Sequence, residues 1–347
     1  MDAALDLTDN ALLSQLLDGL PLEHRPFAAL GRRLGISEQD YLDRVSRLRG
    51  TGHIARLAAS VDGQRLGYRS SLVAMRLEPE RLGDAARVLA RHPGVASIER
   101  VDDPLNCWVR LAVPATDSLA QTVASLGESV DAARVAMLPL VRRYPTAADD
   151  RARRAADPDE DSEPEPRSDL TRPSLTKTQL SALRVLQADL PLLELPFVVL
   201  AAQAGITEEA LLICARSLKH AGIIRRLAAV PAAKSLDVPT ITIAWQLPDE
   251  QLDNAGRRLA QFRQVLRCVR RAHSAEWPYS LFTTVTAGPA DSSKDLVNQA
   301  QEILGAMEHR PLCTIASLLQ RPIIYCSDAL DGWWQEQSAI ADKISSN

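Results

Sequence analysis

The sequence predicts an α+β chain built as two tandem copies of one plan, a head of three short helices followed by a domain with the element order βαββαβ. Three observations lead there. First, GLPLEHRPFAALGRRLGISEQ, from Gly19, realigns with DLPLLELPFVVLAAQAGITEE, from Asp189, at a constant offset of 170 residues. The same offset sets Gly52, Ile54, Arg56, Leu57, Ala58 and Ala59 on Gly222, Ile224, Arg226, Leu227, Ala228 and Ala229. A repeat of this length implies a fused pair of homologous subunits, with a pseudo-two-fold interface where a homodimer would have a true one. Second, strand-like runs alternate with amphipathic helical runs after each head. Third, the segment between Pro145 and Pro173 is rich in charge and proline and almost without large apolar residues, a composition that builds no core and reads as a linker. The divisions expected are a head over residues 1–52, an αβ domain over 53–145, the linker over 146–173, a second head over 174–222, a second αβ domain over 223–327 and a tail over 328–347.

Taken in order, LTDNALLSQLLDGL starts a helix at Thr8 as N-cap and stops at Gly19 and Pro21. PFAALGRRLG is the second helix, and Ser37 with Glu38 caps a third that ends at Gly50 or Gly52. Helix, short helix, G-I-[ST]-E turn and helix is helix-turn-helix spacing, repeated from Thr176 to Gly222. In arm one the strands are SSLVAMRL, ASIERV, CWVRLAV and VAMLPLV, with helices ERLGDAARVLARH and LAQTVASLG between them. In arm two they are ITIAWQL, VLRCVRR, SLFTTVTA and a last one near CTIASLLQ, with helices EQLDNAGRRLAQF and SKDLVNQAQEILGAM. The order is that of the ferredoxin-like split motif, whose sheet has one helix-covered face and one free face, and the free face is where a ligand is expected. The tail DALDGWWQEQSAIADKI has no counterpart in arm one, and its paired tryptophans point to packing back onto the body.

Composition narrows the function. At 347 residues, 46% apolar and 24% charged, the chain can bury cores, and its net charge of −4 lacks the basic balance of non-specific nucleic-acid binding. No run approaches a membrane span and MDAALDLTDN is no signal peptide, so the expected location is the cytoplasm. The five cysteines are scattered without a C-x-x-C pair, and the six histidines form no ligand pair, so neither a disulfide framework nor a protein-built metal site is expected.

Chemistry concentrates in one stretch, RRAHSAEWPYSLF, from Arg270 to Phe282. Strand alternation sends Arg270 and Arg271 to opposite faces, so one of them shares a pocket with His273. Trp277 and Tyr279 add flat apolar surface, and guanidinium groups beside such surface suit a large planar molecule carrying several anionic groups. Arg225 and Arg226 follow the second head directly. Arg226 repeats as Arg56, which favours a structural task, whereas Arg225 faces Ala55 in the repeat and is the better anchor for a ligand carboxylate. Trp245 either stacks on such a ligand or fills the core. The third helices, SEQDYLDRVSRLRGTG and TEEALLICARSLKHAG, begin with acids and make poor readers of bases.

A helix-turn-helix head followed by βαββαβ resembles the Lrp/AsnC regulators. GIIRRLAAV, from Gly222, together with VRRAHSAEWPYSLF more closely resembles the siroheme decarboxylases of haem d1 and alternative haem biosynthesis, and the likeness covers both arms. That resemblance implies siroheme as partner, removal of carbon dioxide from two of its acetate side chains, and no cofactor beyond the iron that the substrate carries. His273, Arg270 and Arg271 then become the catalytic candidates. Arg225, Arg226, Trp245, Trp277, Tyr279 and Arg100, which matches a family arginine, become substrate-binding candidates. Asp103 departs from the pattern, standing where a histidine is expected, so arm one has lost its own site or supports the other. His273 serves either as proton donor or as ligand to the substrate iron. The rivals are a DNA-binding regulator and a tetrapyrrole-binding protein without catalysis; pairing of two chains is left open.

Overall fold

A computed structural model describes residues 5–146, 170–231, 240–286, 292–305 and 307–333. Arm one runs α1 (Leu7–Asp18), α2 (Pro26–Leu34), α3 (Glu38–Gly50), β1 (Ile54–Val61), β2 (Tyr68–Arg76), α4 (Leu82–Leu89), β3 (Val95–Val101), β4 (Cys107–Pro114), α5 (Leu119–Ser129), β5 (Arg134–Leu138) and β6 (Leu140–Tyr144). Arm two runs α6 (Lys177–Leu186), α7 (Pro196–Gln203), α8 (Glu208–His220), β7 (Ile224–Pro231), β8 (Thr240–Gln246), α9 (Asp249–Leu259), β9 (Val265–Arg271), β10 (Leu281–Thr286), α10 (Ser292–Leu304), β11 (Glu308–Gln320) and α11 (Asp328–Asp331). Residues 147–169 of the expected linker, and the tail beyond residue 333, lie outside the described residues.

The chain divides into two compact units, and the division cuts across both arms. One unit holds the two heads with β1 and β7; the other holds both βαββαβ domains and the residues that follow. The expected boundaries after residues 52 and 222 therefore move. IARLAASV and IRRLAAVP stay with the heads because they pair with each other, antiparallel, so their backbone groups are satisfied there. Ala58 lies opposite Ala228, equivalent positions in the repeat, so the pseudo-two-fold axis of this unit passes between them. Bonds repeat across it: Leu20 N donates to Leu227 O and Leu190 N to Leu57 O, both at 2.7 Å.

Helix starts follow local chemistry. Thr176 caps α6 with a reciprocal Gln179 capping box, and the Ser37 hydroxyl accepts from Asp40 N at the start of α3, as expected. The start of α1 is earlier than expected: Asp6, not Thr8, is the N-cap, with Asp9 closing the box.

In the second unit each arm contributes four strands in the order fourth, first, third, second: β5-β2-β4-β3 and β11-β8-β10-β9. The last strand of each arm crosses to the other. β11 pairs with β8 over Glu308–Cys313 and with β3 over Thr314–Gln320. In arm one Pro139, with no N–H for a ladder, splits the same path into β5 against β2 and β6 against β9.

Among the described residues of this unit three apolar cores result. Val73, Ile98, Val109 and Leu111 pack under Leu82, Leu89, Val123 and Leu126, and Ile243, Val265, Leu281 and Val285 pack under Leu252, Leu259 and Leu296. The third core lies between the helix-free faces, where Ala74, Val101, Leu105 and Trp108 meet Ala244, Val269, Trp277 and Phe282. The face expected to lie open to a ligand is thus covered by its counterpart, because both are apolar and burying both removes more surface from water.

The residues after β11 return to arm one. Cys326 N donates to the Tyr68 hydroxyl at 2.8 Å, that hydroxyl bonds Asp331, and the Trp333 ring lies 4.8 Å from that of His92. Packing back onto the body holds for one of the paired tryptophans; Trp334 is outside the described residues.

Candidate functional site

The stretch from Arg270 to Phe282 is the end of β9, a closed turn and the start of β10. Ser274 N and Trp277 N each bond the other's carbonyl, at 2.9 and 3.1 Å, and Arg271 N donates to Ser280 O at 2.8 Å. Ala272 N donates to Pro139 O at 2.9 Å, which ties the turn to the crossing strand of arm one.

Alternation along β9 separates the two arginines as expected. Arg270 takes the helix side, 3.5 Å from Asp249 and 3.8 Å from Asp253 of α9. Arg271 takes the interior: it is 5% exposed, its Nη1 donates to Leu138 O at 2.9 Å, and its guanidinium lies over the Phe282 ring. Its expected role in orienting a substrate carboxylate does not fit that enclosure, since a guanidinium between a carbonyl and an aromatic face braces the fold.

His273 is exposed, and its Nδ1 lies 3.3 Å from the Ser280 hydroxyl. It lines an open cleft of about 1050 Å³ with Gln246, Leu247, Pro248, Asp249, Pro278, Ser280 and Glu308. Asp249 is both a wall of this cleft and the partner of Arg270. Asp253 gathers the cations of this side: a hydrogen bond from Tyr144, then the charges of Arg142, Arg270 and Arg257, hold its carboxyl below the usual range.

The aromatic candidates are interior residues. Trp245 is fully buried and donates to Thr283 Oγ1 at 2.9 Å, so of its two expected roles it fills the core. Trp277, 1% exposed, sits edge-on to Trp108 at 5.2 Å and 5.1 Å from Tyr279, and its indole N–H is buried without a hydrogen-bond partner. Neither ring offers an exposed stacking face.

Above Trp277 and Tyr279 lies a residue that the sequence did not single out. Arg310 of β11 places its guanidinium 5.8 Å from the Trp277 centroid and 5.1 Å from that of Tyr279, and its Nη1 lies 3.2 Å from Asp103 Oδ2. The Asp103 side chain is 2% exposed, and burial pushes its pKa above the ordinary carboxylate value. The only signal in the sequence was Asp103 itself, standing opposite His273; nothing marks Arg310 until β11 brings it over the turn of the other arm.

Arg225, Arg226 and Arg100 are not in this cluster. Arg226 Nη1 donates to Leu17 O at 3.3 Å and Arg56 Nη1 to Gln187 O at 3.2 Å, each meeting the last carbonyls of the first helix in the opposite head, where a cation opposes the negative helix end. The structural task expected of Arg226 thus includes a helix-end hydrogen bond. Arg225 is exposed on β7 in the unit of the heads, and Arg100 is exposed on β3 opposite Cys107.

The cations of α3 are committed within the heads. Arg44 lies 2.9 Å from Asp6 and 2.8 Å from Asp9, Arg47 lies 2.6 Å from Asp9, and Arg49 lies 2.7 Å from Asp189. Among the described residues no group of three or more His, Cys, Asp or Glu could hold a metal ion, and no single helix is long and apolar enough to cross a membrane.

Residues 9–54 and 181–225 match the family model described as the siroheme decarboxylase NirDL-like HTH domain, and residues 65–144 and 240–318 match the AsnC-like ligand binding domain. The siroheme decarboxylase NirG subunit of Paracoccus pantotrophus is 32% identical over 141 residues, and the chain covers 89% of it. The chain belongs to the siroheme decarboxylase family. Similarity spans both arms: the siroheme decarboxylase of Hydrogenobacter thermophilus is 26% identical over 330 residues, 94% of this chain and 97% of that protein. The siroheme decarboxylase NirDL subunit of Paracoccus denitrificans is 28% identical over 329 residues, 91% of this chain and 97% of its own length. A crystal structure of the siroheme decarboxylase NirDL shares the fold, with a TM-score of 0.74 at 24% identity over 96% of this chain and 99% of that one. A second NirDL crystal structure holds an iron-uroporphyrin III analogue.

Proposed function

We propose that this chain removes carbon dioxide from two acetate side chains of siroheme, leaving methyl groups and giving didecarboxysiroheme on a route to haem d1. The observation that carries the reading is similarity to siroheme decarboxylases along nearly the whole of both arms. In each step the bond from the exocyclic carbon to the carboxylate breaks, its electron pair stays on that carbon, and a proton replaces the departing carbon dioxide. The conjugated ring takes up the developing charge, so the iron and the electron sink both come with the substrate and the protein adds no cofactor. What the chain contributes is placement and the proton.

His273 is our candidate donor. Imidazole titrates nearest neutrality among side chains, and a hydrogen bond between Nδ1 and the Ser280 hydroxyl orients the ring and leaves Nε2 for the substrate. Arg270, tethered by Asp249 at the cleft wall, anchors a substrate carboxylate. The regulator reading is disfavoured because the α3 arginines are already paired with acids, and the site of action is the cytoplasm. Mixing the purified protein with siroheme without oxygen, then following the spectrum and product mass, tests the function: loss of two carbon dioxides is expected, and unchanged substrate mass sinks it. For the donor, His273→Ala is expected to bind siroheme normally and decarboxylate about 100-fold more slowly; a wild-type rate ends that role.

A further inference from the structure

We propose that Arg310 and the indole N–H of Trp277 form a subsite for one acetate carboxylate of the substrate, with Asp103 positioning Arg310. The inference rests on the decarboxylase reading above and adds an anion site from the crossing strand.

The guanidinium carries five N–H donors, of which the structure commits Nη1 to Asp103, while 40% of the side chain remains exposed. Its orientation is fixed from below by the faces of Tyr279 and Trp277 and from one side by Asp103, whose Oδ1 is itself held by Leu105 N at 2.8 Å. A cation so braced loses little freedom when it takes a second anion. Trp277 supplies an independent observation: its Nε1–H is buried with no acceptor, an arrangement that folded chains seldom tolerate unless something completes it. A ligand carboxylate reaching this cluster gains a charged donor and a neutral one together. Arg310 also stands two residues along β11 from Glu308, on the same strand face, and Glu308 lines the cleft that holds His273.

The test compares two probes by absorption titration at fixed ionic strength: iron-uroporphyrin III, which bears acetates, and iron-coproporphyrin III, the same ring with methyl groups in their place. Arg310→Gln is expected to weaken the first about 10- to 100-fold and the second less than about twofold. Arg310→Lys, keeping charge without the fork, falls between, and Trp277→Phe and Asp103→Ala weaken only the acetate-bearing probe. Equal weakening of both probes by Arg310→Gln means a structural role and overturns the proposal, as does no change in either. A wild-type chain that binds neither probe overturns the decarboxylase reading along with it. Normal wild-type binding and turnover with an indifferent Arg310→Gln overturns the subsite alone.

Discussion

Just beyond the end of α4, His92 Nδ1 accepts the Gly94 N–H at 3.0 Å, and Arg321 closes the pocket by donating to His92 O at 2.7 Å and Ala90 O at 2.8 Å. Burial first, and the Arg321 charge second, push the imidazole pKa down to about 4. A lowered histidine pKa means that the unfolded chain takes up the proton first. Stability is therefore complete above the unfolded pKa near 6.5 and falls as pH drops toward 4. Denaturant midpoints at pH 7.5 and 4.5 are expected to drop further for the wild-type chain than for His92→Asn, whose side chain can still accept from Gly94. The difference is on the order of 2 kcal/mol, and equal drops would rule out His92 as the titrating group. The same scale separates Arg270 from Arg271: adjacent residues on one strand, one faces acids on a helix and the other an aromatic ring.

Among elements, β6 decides how arm one meets arm two. Tyr144 at its end donates to Asp253 Oδ1 at 2.6 Å and lays its ring directly on the Cα of Gly256 in α9. A Cβ at position 256 would overlap the ring carbons. Gly256→Ala is expected to destabilise by about 1–3 kcal/mol despite alanine's better helix propensity, and Tyr144→Ala should relieve part of that cost in the double variant. Thermal unfolding of the single and double variants checks this, and strictly additive losses would mean that no overlap exists. The heads give an element-scale expectation as well. With Arg44, Arg47 and Arg49 each facing a carboxylate, DNA retention in gel shifts should vanish at moderate salt.

For the whole molecule, both units are shared between the arms, through β1 with β7 in one and through the crossing strands β6 and β11 in the other. Cutting the chain between residues 147 and 169 should accordingly leave two fragments that elute together on size exclusion in native buffer and separate in urea. Fragments that part without denaturant would contradict the strand exchange.

The repeat, the helix caps at Ser37 and Thr176, the βαββαβ order and the division of Arg270 from Arg271 were legible in the sequence, because each depends on residues close together or on a fixed offset. What the chain could not reveal locally was partnership at long range. Neither β1 nor β7 stands among the strands that the sequence predicts, since each finds its ladder partner only in its own repeat, and an apolar face reads as vacant until another covers it. The predicted Arg271 and Trp245 proved interior, since periodicity assigns a face without saying what lies against it. Arg310 went unseen because one arginine at a strand start is an ordinary solvent-facing residue until Asp103, Tyr279 and Trp277 close around it. The sequence by itself determined the doubled architecture and the segment of the site, since both are written in repeats and neighbouring residue types. The tertiary structure alone settled that Arg271 is enclosed and that Arg310 lies over the turn, because both depend on strands that cross between the arms.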